Sequence, residues 1–107
     1  MAYDEHLANR IREQLAGQEA VTEKRMFGGL AFLVHGNLAV AASRTGGLMV
    51  RVDPQDSDGL VDADGVERMV MRGREMDGWL LVEAGRVTGD DVLASWVRRG
   101  VAAAQAA

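Results

Sequence analysis

The 107-residue chain has no cysteine, which excludes a disulfide framework, a thiolate nucleophile and any zinc site built on sulfur. That composition suits a reducing interior, so a cytoplasmic location is the expectation. No stretch approaches the ~18 consecutive apolar residues of a membrane span, and MAYDEHLANR is acidic and mixed where a secretory leader would be basic and then apolar. A soluble, unprocessed protein without membrane contact is expected. Cations are also in deficit: 12 Lys and Arg against 16 Asp and Glu leave a formal charge of −4. The field of the whole molecule then repels nucleic acid, and direct DNA binding is disfavoured.

What is present fits one compact domain, since a chain of this length buries roughly 60–70% of its unfolded surface without metals or disulfides. In DEHLANRIREQLAG, Leu7, Ala8, Ile11 and Leu15 recur at spacings of three and four, which predicts an amphipathic helix starting near residues 3–5 and stopping at Gly17. From Val21 the period changes. VTEKRMF alternates, LAFLV and LAVAA are short apolar runs, and HGN between them is a hairpin link with Gly36 and Asn37 available for positive φ. SRTGG supplies another turn before LMVRVD, where Leu48, Val50 and Val52 share one face and Met49 and Arg51 the other. Asp53 before Pro54, the single proline, predicts a cap and a short helix. ERMVM and WLLVE read as further strands on either side of RGREMDG. Thr88-Gly-Asp-Asp91 has capping-box spacing ahead of Val92, Leu93, Trp96, Val97 and Val101, which predicts a C-terminal helix with Trp96 as its core anchor and a fraying AAAQAA tail. The fold class expected is α+β: an antiparallel meander of about five strands flanked by N-terminal and C-terminal helices.

A search for chemistry yields little. His6 and His35 are far apart in sequence and lie in no HExxH frame, so no metal site is expected. His35 reads as an exposed turn residue. The carboxylates fall mostly in caps and turns, and Ser43, Ser57 and Ser95 occupy no nucleophile elbow. Neither FGGL nor RTGGL continues into a phosphate-binding loop. The expectation is a non-enzymatic protein with no cofactor. Arginines in small groups (Lys24-Arg25; Arg68, Arg72 and Arg74; Arg98-Arg99) suit solvated faces, whereas Arg51 inside an apolar strand must reach solvent or pair with a carboxylate, which makes it an interaction candidate. The methionines in the strands (Met26, Met49, Met69, Met71, Met76) are expected as core filler, with an adaptable binding surface as the alternative. A glycine pair at the head of a strand, Gly28-Gly29, calls for a sharp bend, a positive φ or a close approach.

The ordered set R-M-F-G-G-L-A-F at 25–32, L-M-V-R-V-D-P at 48–54, G-R-E-M-D-G-W at 73–79 and W-V-R-R-G at 96–100 resembles the TfoX N-terminal domain family, which includes the first domain of TfoX/Sxy competence regulators. The resemblance implies a curved antiparallel sheet with helices near both ends, in which Gly28 and Gly29 permit a reversal or bulge and Phe27 packs inward. It also implies a role in positive regulation of competence genes alongside the cyclic-AMP receptor protein, here in a stand-alone form of the domain. Two functions are carried forward. The candidate binding residues are Arg25, Phe27, Gly28, Gly29, Arg51, Arg72, Arg74 and Met76; one reading is a protein-interaction module in which Arg25, Arg51, Arg72 and Arg74 with nearby apolar sheet residues contact a protein partner, including transcription machinery, or a second copy as a homodimer. The other is a sensor of small anionic ligands, with a pocket between the Gly28-Gly29 turn and the Arg74–Met76 loop.

Overall fold

The computed structural model of the chain describes residues 3–26, 28–62 and 64–107, with Met71 described by its backbone alone. Phe27, expected to pack inward and to join a binding site, lies outside the described residues. Among the described residues three α-helices and six strands run in the order α1 (Glu5–Gln14), β1 (Val21–Met26), β2 (Gly29–Val34), β3 (Asn37–Ala42), β4 (Leu48–Arg51), α2 (Ser57–Leu60), β5 (Val66–Met71), β6 (Arg74–Val82) and α3 (Asp90–Ala106). One antiparallel sheet holds all six strands in the order β1-β2-β3-β4-β6-β5. The α+β class is as expected, with one strand more than the five anticipated. The meander holds for β1 to β4 and then breaks. After β4 the chain passes through the Pro54–Asp56 turn and α2 to the far edge, so β6 returns between β4 and β5.

Local chemistry sets the boundaries. The Asp4 carboxylate accepts from the backbone N–H groups of His6 and Leu7, which starts α1 at Glu5. The helix stops at Gln14, before Gly17, and the left-handed residue of the following link is Ala20 (φ 59°). The β2–β3 hairpin turns on His35 (φ 51°) and Gly36 (φ 82°) where Gly36 and Asn37 were expected, and His35 is exposed as anticipated. RGREMDG is not a loop. It closes in a two-residue turn, Arg72 (φ 54°) and Gly73 (φ 77°), a pair of left-handed conformations that matches strand twist, and β6 resumes at Arg74.

Alternation in β2 and β4 sends Leu30, Phe32, Leu48 and Val50 to one face, where Leu7, Ile11, Leu93 and Val97 of α1 and α3 cover them and form the main core. Gly100 lets α3 lie close on the sheet, because a Cβ there would stand 2.5 Å from the Ala39 carbonyl oxygen. The capping box does not form: the N-cap is Gly89 and makes no side-chain cap bond. The Arg10 guanidinium instead reaches the Val87 and Thr88 carbonyls at 2.8 and 3.1 Å and the Asp90 carboxylate at 3.1 Å, tying α1 to the start of α3. Nor does the alanine tail fray. Ala104 is fully buried with Val34 and Ala39, and its carbonyl accepts from the Asn37 amide at 3.1 Å.

Candidate functional site

Both long helices lie on one side of the sheet, and among the described residues no layer covers the other face. By strand alternation that open face receives Lys24 and Met26 from β1, Ala31 and Leu33 from β2, Ala41 from β3, Met49 and Arg51 from β4, and Leu81 from β6. Ala31, Ala41 and Met49 form a buried floor, and Met26, Leu33, Leu38, Met69 and Trp79 pack around it. The result is a half-open trough of about 320 Å³, lined also by Arg51 and Met76.

Arg51 stands opposite Trp79 on the neighbouring strand, and its guanidinium carbon lies 5.2 Å from the indole centroid. That is cation–π geometry, with the planar cation held over the electron-rich ring. Among the described residues no carboxylate forms an ion pair with Arg51. Its charge therefore remains available at the rim of an apolar surface, which agrees with the first of the two outcomes open to an arginine in this strand.

A bulge supplies Trp79. Arg68 and Met69 are adjacent in β5, yet they pair with Leu80 and Met76, so Asp77, Gly78 and Trp79 occupy a single step of the ladder. The extra residues reverse the face parity, and Met76 and Trp79, three apart, both reach the trough. Gly78 takes φ +85°, and a Cβ there would stand 3.1 Å from the Val52 carbonyl oxygen. Its N–H donates to the hydroxyl of fully buried Ser57 at 3.0 Å, and its carbonyl accepts from the Val52 N–H at 2.8 Å. Ser57, introduced by the short α2, thus holds the bulge that aims the tryptophan. On the other side of the bulge Arg68 pairs with Asp58 and, at 3.4 Å, with Asp77.

Of the anticipated site residues, the structure brings Arg51 and Met76 together in the trough. Arg74 lies on the same face two residues beyond Met76, and Arg72 is exposed at the hairpin tip. Arg25 points to the opposite side of β1, since it pairs with core-facing Leu30. Gly28 and Gly29 sit at the end of the sheet where Ala42, Leu48 and Val82 align, whereas Arg74 begins the opposite end of β6. The anion pocket expected between those glycines and Arg74 therefore has no geometry: the trough is lined by Met76 but by neither glycine. The core reading of the methionines holds for buried Met49, with Met26 and Met69 packed beside it, and not for exposed Met76. All four lie on the face away from the helices, Met26, Met49 and Met69 by odd-even alternation in their strands and Met76 because the bulge reverses the parity of β6; the Met71 side chain lies outside the described residues. Trp79, Leu33 and Leu38 escaped the sequence reading. Period-two alternation within WLLV separates Trp79 and Leu81 from Leu80 and Val82, which was the available signal.

Two further features complete the electrostatics. A cavity of about 490 Å³ beside the β5–β6 end of the sheet is lined by Asp62, Glu67 and Glu83. The Asp62 carboxyl is held below its ordinary range, first by the Asp64 backbone N–H at 2.8 Å and then by Arg86 at 3.4 Å. Among the described residues no His, Asp and Glu side chains cluster in a way that could hold a metal ion, and no helix is long and apolar enough to cross a membrane.

An antiparallel sheet with helices on one side and an apolar trough with a rim cation on the other defines an open-faced α+β domain. The chain belongs to the TfoX N-terminal domain family, whose model matches residues 13–104, nearly its whole length. No curated protein and no solved structure matches it significantly.

Proposed function

We propose that this domain is a non-enzymatic, cytoplasmic protein-interaction module that binds through the open face of its sheet. The observation that carries this reading is the trough: methionine and leucine walls, a tryptophan, and one arginine whose charge no carboxylate of the described residues neutralises. Methionine-rich surfaces repack around different apolar ridges, and tryptophan with arginine is the pair most enriched where partners bind tightly. A role in regulating transcription, in the manner of TfoX/Sxy regulators of competence, is the biological setting we propose from membership in the family.

The test is site-specific photocrosslinking in cells. A benzophenone-bearing residue in place of Leu33, on the trough wall, is expected to give a discrete protein adduct, whereas the same residue in place of Arg98 on the exposed side of α3 gives none. Replacing Trp79 with alanine is expected to abolish the Leu33 adduct. No adduct from position 33, or the same adduct from both positions, refutes the assignment.

A further inference from the structure

Strand pairing sets six open-face residues in one row across the sheet. Lys24 pairs with Ala31, Ala31 with Ala41, Ala41 with Met49, Met49 with Leu81, and Leu81 with Glu67. The row thus carries a cation at one edge of the sheet, an anion at the other, two small residues toward the cation and two large ones toward the anion. Lys24 and Glu67 are both exposed, and no ion pair within the chain engages either among the described residues.

We infer that the open faces of two copies pack on each other about a two-fold axis parallel to the strands, so that Lys24 of each copy meets Glu67 of the other. This rests on the open face being the interaction surface. Such an axis reverses the order of strands and preserves height along them, so β1 of one copy lies over β5 of the second. Between those charges Ala31, Ala41 and Met49 are already buried within each copy, so the apolar contact falls to the side chains around them, Met26, Leu33, Leu38, Met69 and Trp79. Rotation about an axis across the strands would instead stack Lys24 on Lys24 and Glu67 on Glu67, and like charges brought together oppose association. The row is therefore self-complementary for one symmetry operator and not for the other.

Six strands about 4.8 Å apart, with roughly six residues each at about 3.3 Å, offer a face of roughly 500 Å² in projection. That is at the small end for a specific interface, so the dimer is a reversible, concentration-dependent one.

Sedimentation equilibrium of the full chain across a dilution series tests the pairing. The native chain is expected to dimerise, Lys24→Glu and Glu67→Lys each to weaken the dimer by about tenfold, and the double exchange Lys24→Glu/Glu67→Lys to restore it to near the native constant. Both positions are exposed edge-strand sites, and circular dichroism checks that each variant is folded. A chain monomeric at every concentration overturns the inference. A dimer indifferent to both single reversals overturns it too, since its interface then lies elsewhere. A monomer whose position-33 crosslinker still captures a different protein overturns self-pairing while the interaction-module reading stands.

Discussion

At Gly28-Gly29 two adjacent glycines answer to different constraints. Gly28 supplies the left-handed turn (φ +78°), whereas Gly29 yields space: a Cβ there would stand 2.3 Å from the Ala42 carbonyl oxygen. Gly29→Val is therefore expected to destabilise by about 1–3 kcal/mol through overpacking against backbone, and Gly28→Ala by about 1 kcal/mol through strain. Urea unfolding at constant m-value measures both, and equal stability of the Gly29 variant would remove the close-approach argument. Ser57→Ala leaves the buried Gly78 N–H without a partner, which costs about 1–3 kcal/mol. The same change is expected to loosen Trp79 and shift its fluorescence, a response that a remote packing defect would not produce. The glycine pair was legible as a device from the sequence. Which glycine bends and which makes room was not, because that depends on the neighbouring β3 strand.

Between elements, side chains from distant segments decide what local propensity leaves open. The last residues of α3 looked free to fray, since alanines carry nothing to anchor them. Their small size is what lets Ala104 sink against Val34 and Ala39 and lets the Asn37 amide reach its carbonyl. Amide exchange is expected to show protection at the N–H groups that bond within the last turn, and Asn37→Ala is expected to shorten it at a cost of about 1 kcal/mol. Unprotected amides from Val101 onward in the native chain would contradict that. At the other end of the fold Arg12 of α1 grips Glu23 of β1 through paired bonds of 2.6 and 2.7 Å, and this hydrogen bonding holds the Glu23 carboxyl below its ordinary range. A carboxyl depressed in the folded state contributes stability above its unfolded pKa and loses it as pH falls through the folded one. The loss is expected below about pH 4, and both side chains being more than a third exposed keeps the contribution under about 1 kcal/mol. Urea midpoints from pH 6 to 3 should fall less steeply in Arg12→Ala than in the native chain.

For the molecule as a whole, the main core lies under one face of the sheet and a smaller buried cluster lies on the other, so the two tryptophans report on the same sheet from opposite sides: Trp96 against the main core and Trp79 in the trough. Single-tryptophan variants, Trp96→Phe and Trp79→Phe, are expected to unfold in urea with coincident fluorescence and circular dichroism transitions; separate transitions would divide the sheet from its helices. The helices, the strand runs and the α+β class were readable in the chain because amphipathic period and turn chemistry are local, and a resemblance of four ordered motifs reached the family. The trough was readable only in pieces, as an arginine in an apolar strand and an excess of methionine. Sequence by itself determined which segments alternate and which residues a strand turns to the same side. Only the tertiary structure decided that β6 lies between β4 and β5, that a bulge brings Trp79 over Arg51, and that both long helices cover the same face. Those outcomes come from pairing and packing between residues far apart in the chain, which no local pattern encodes.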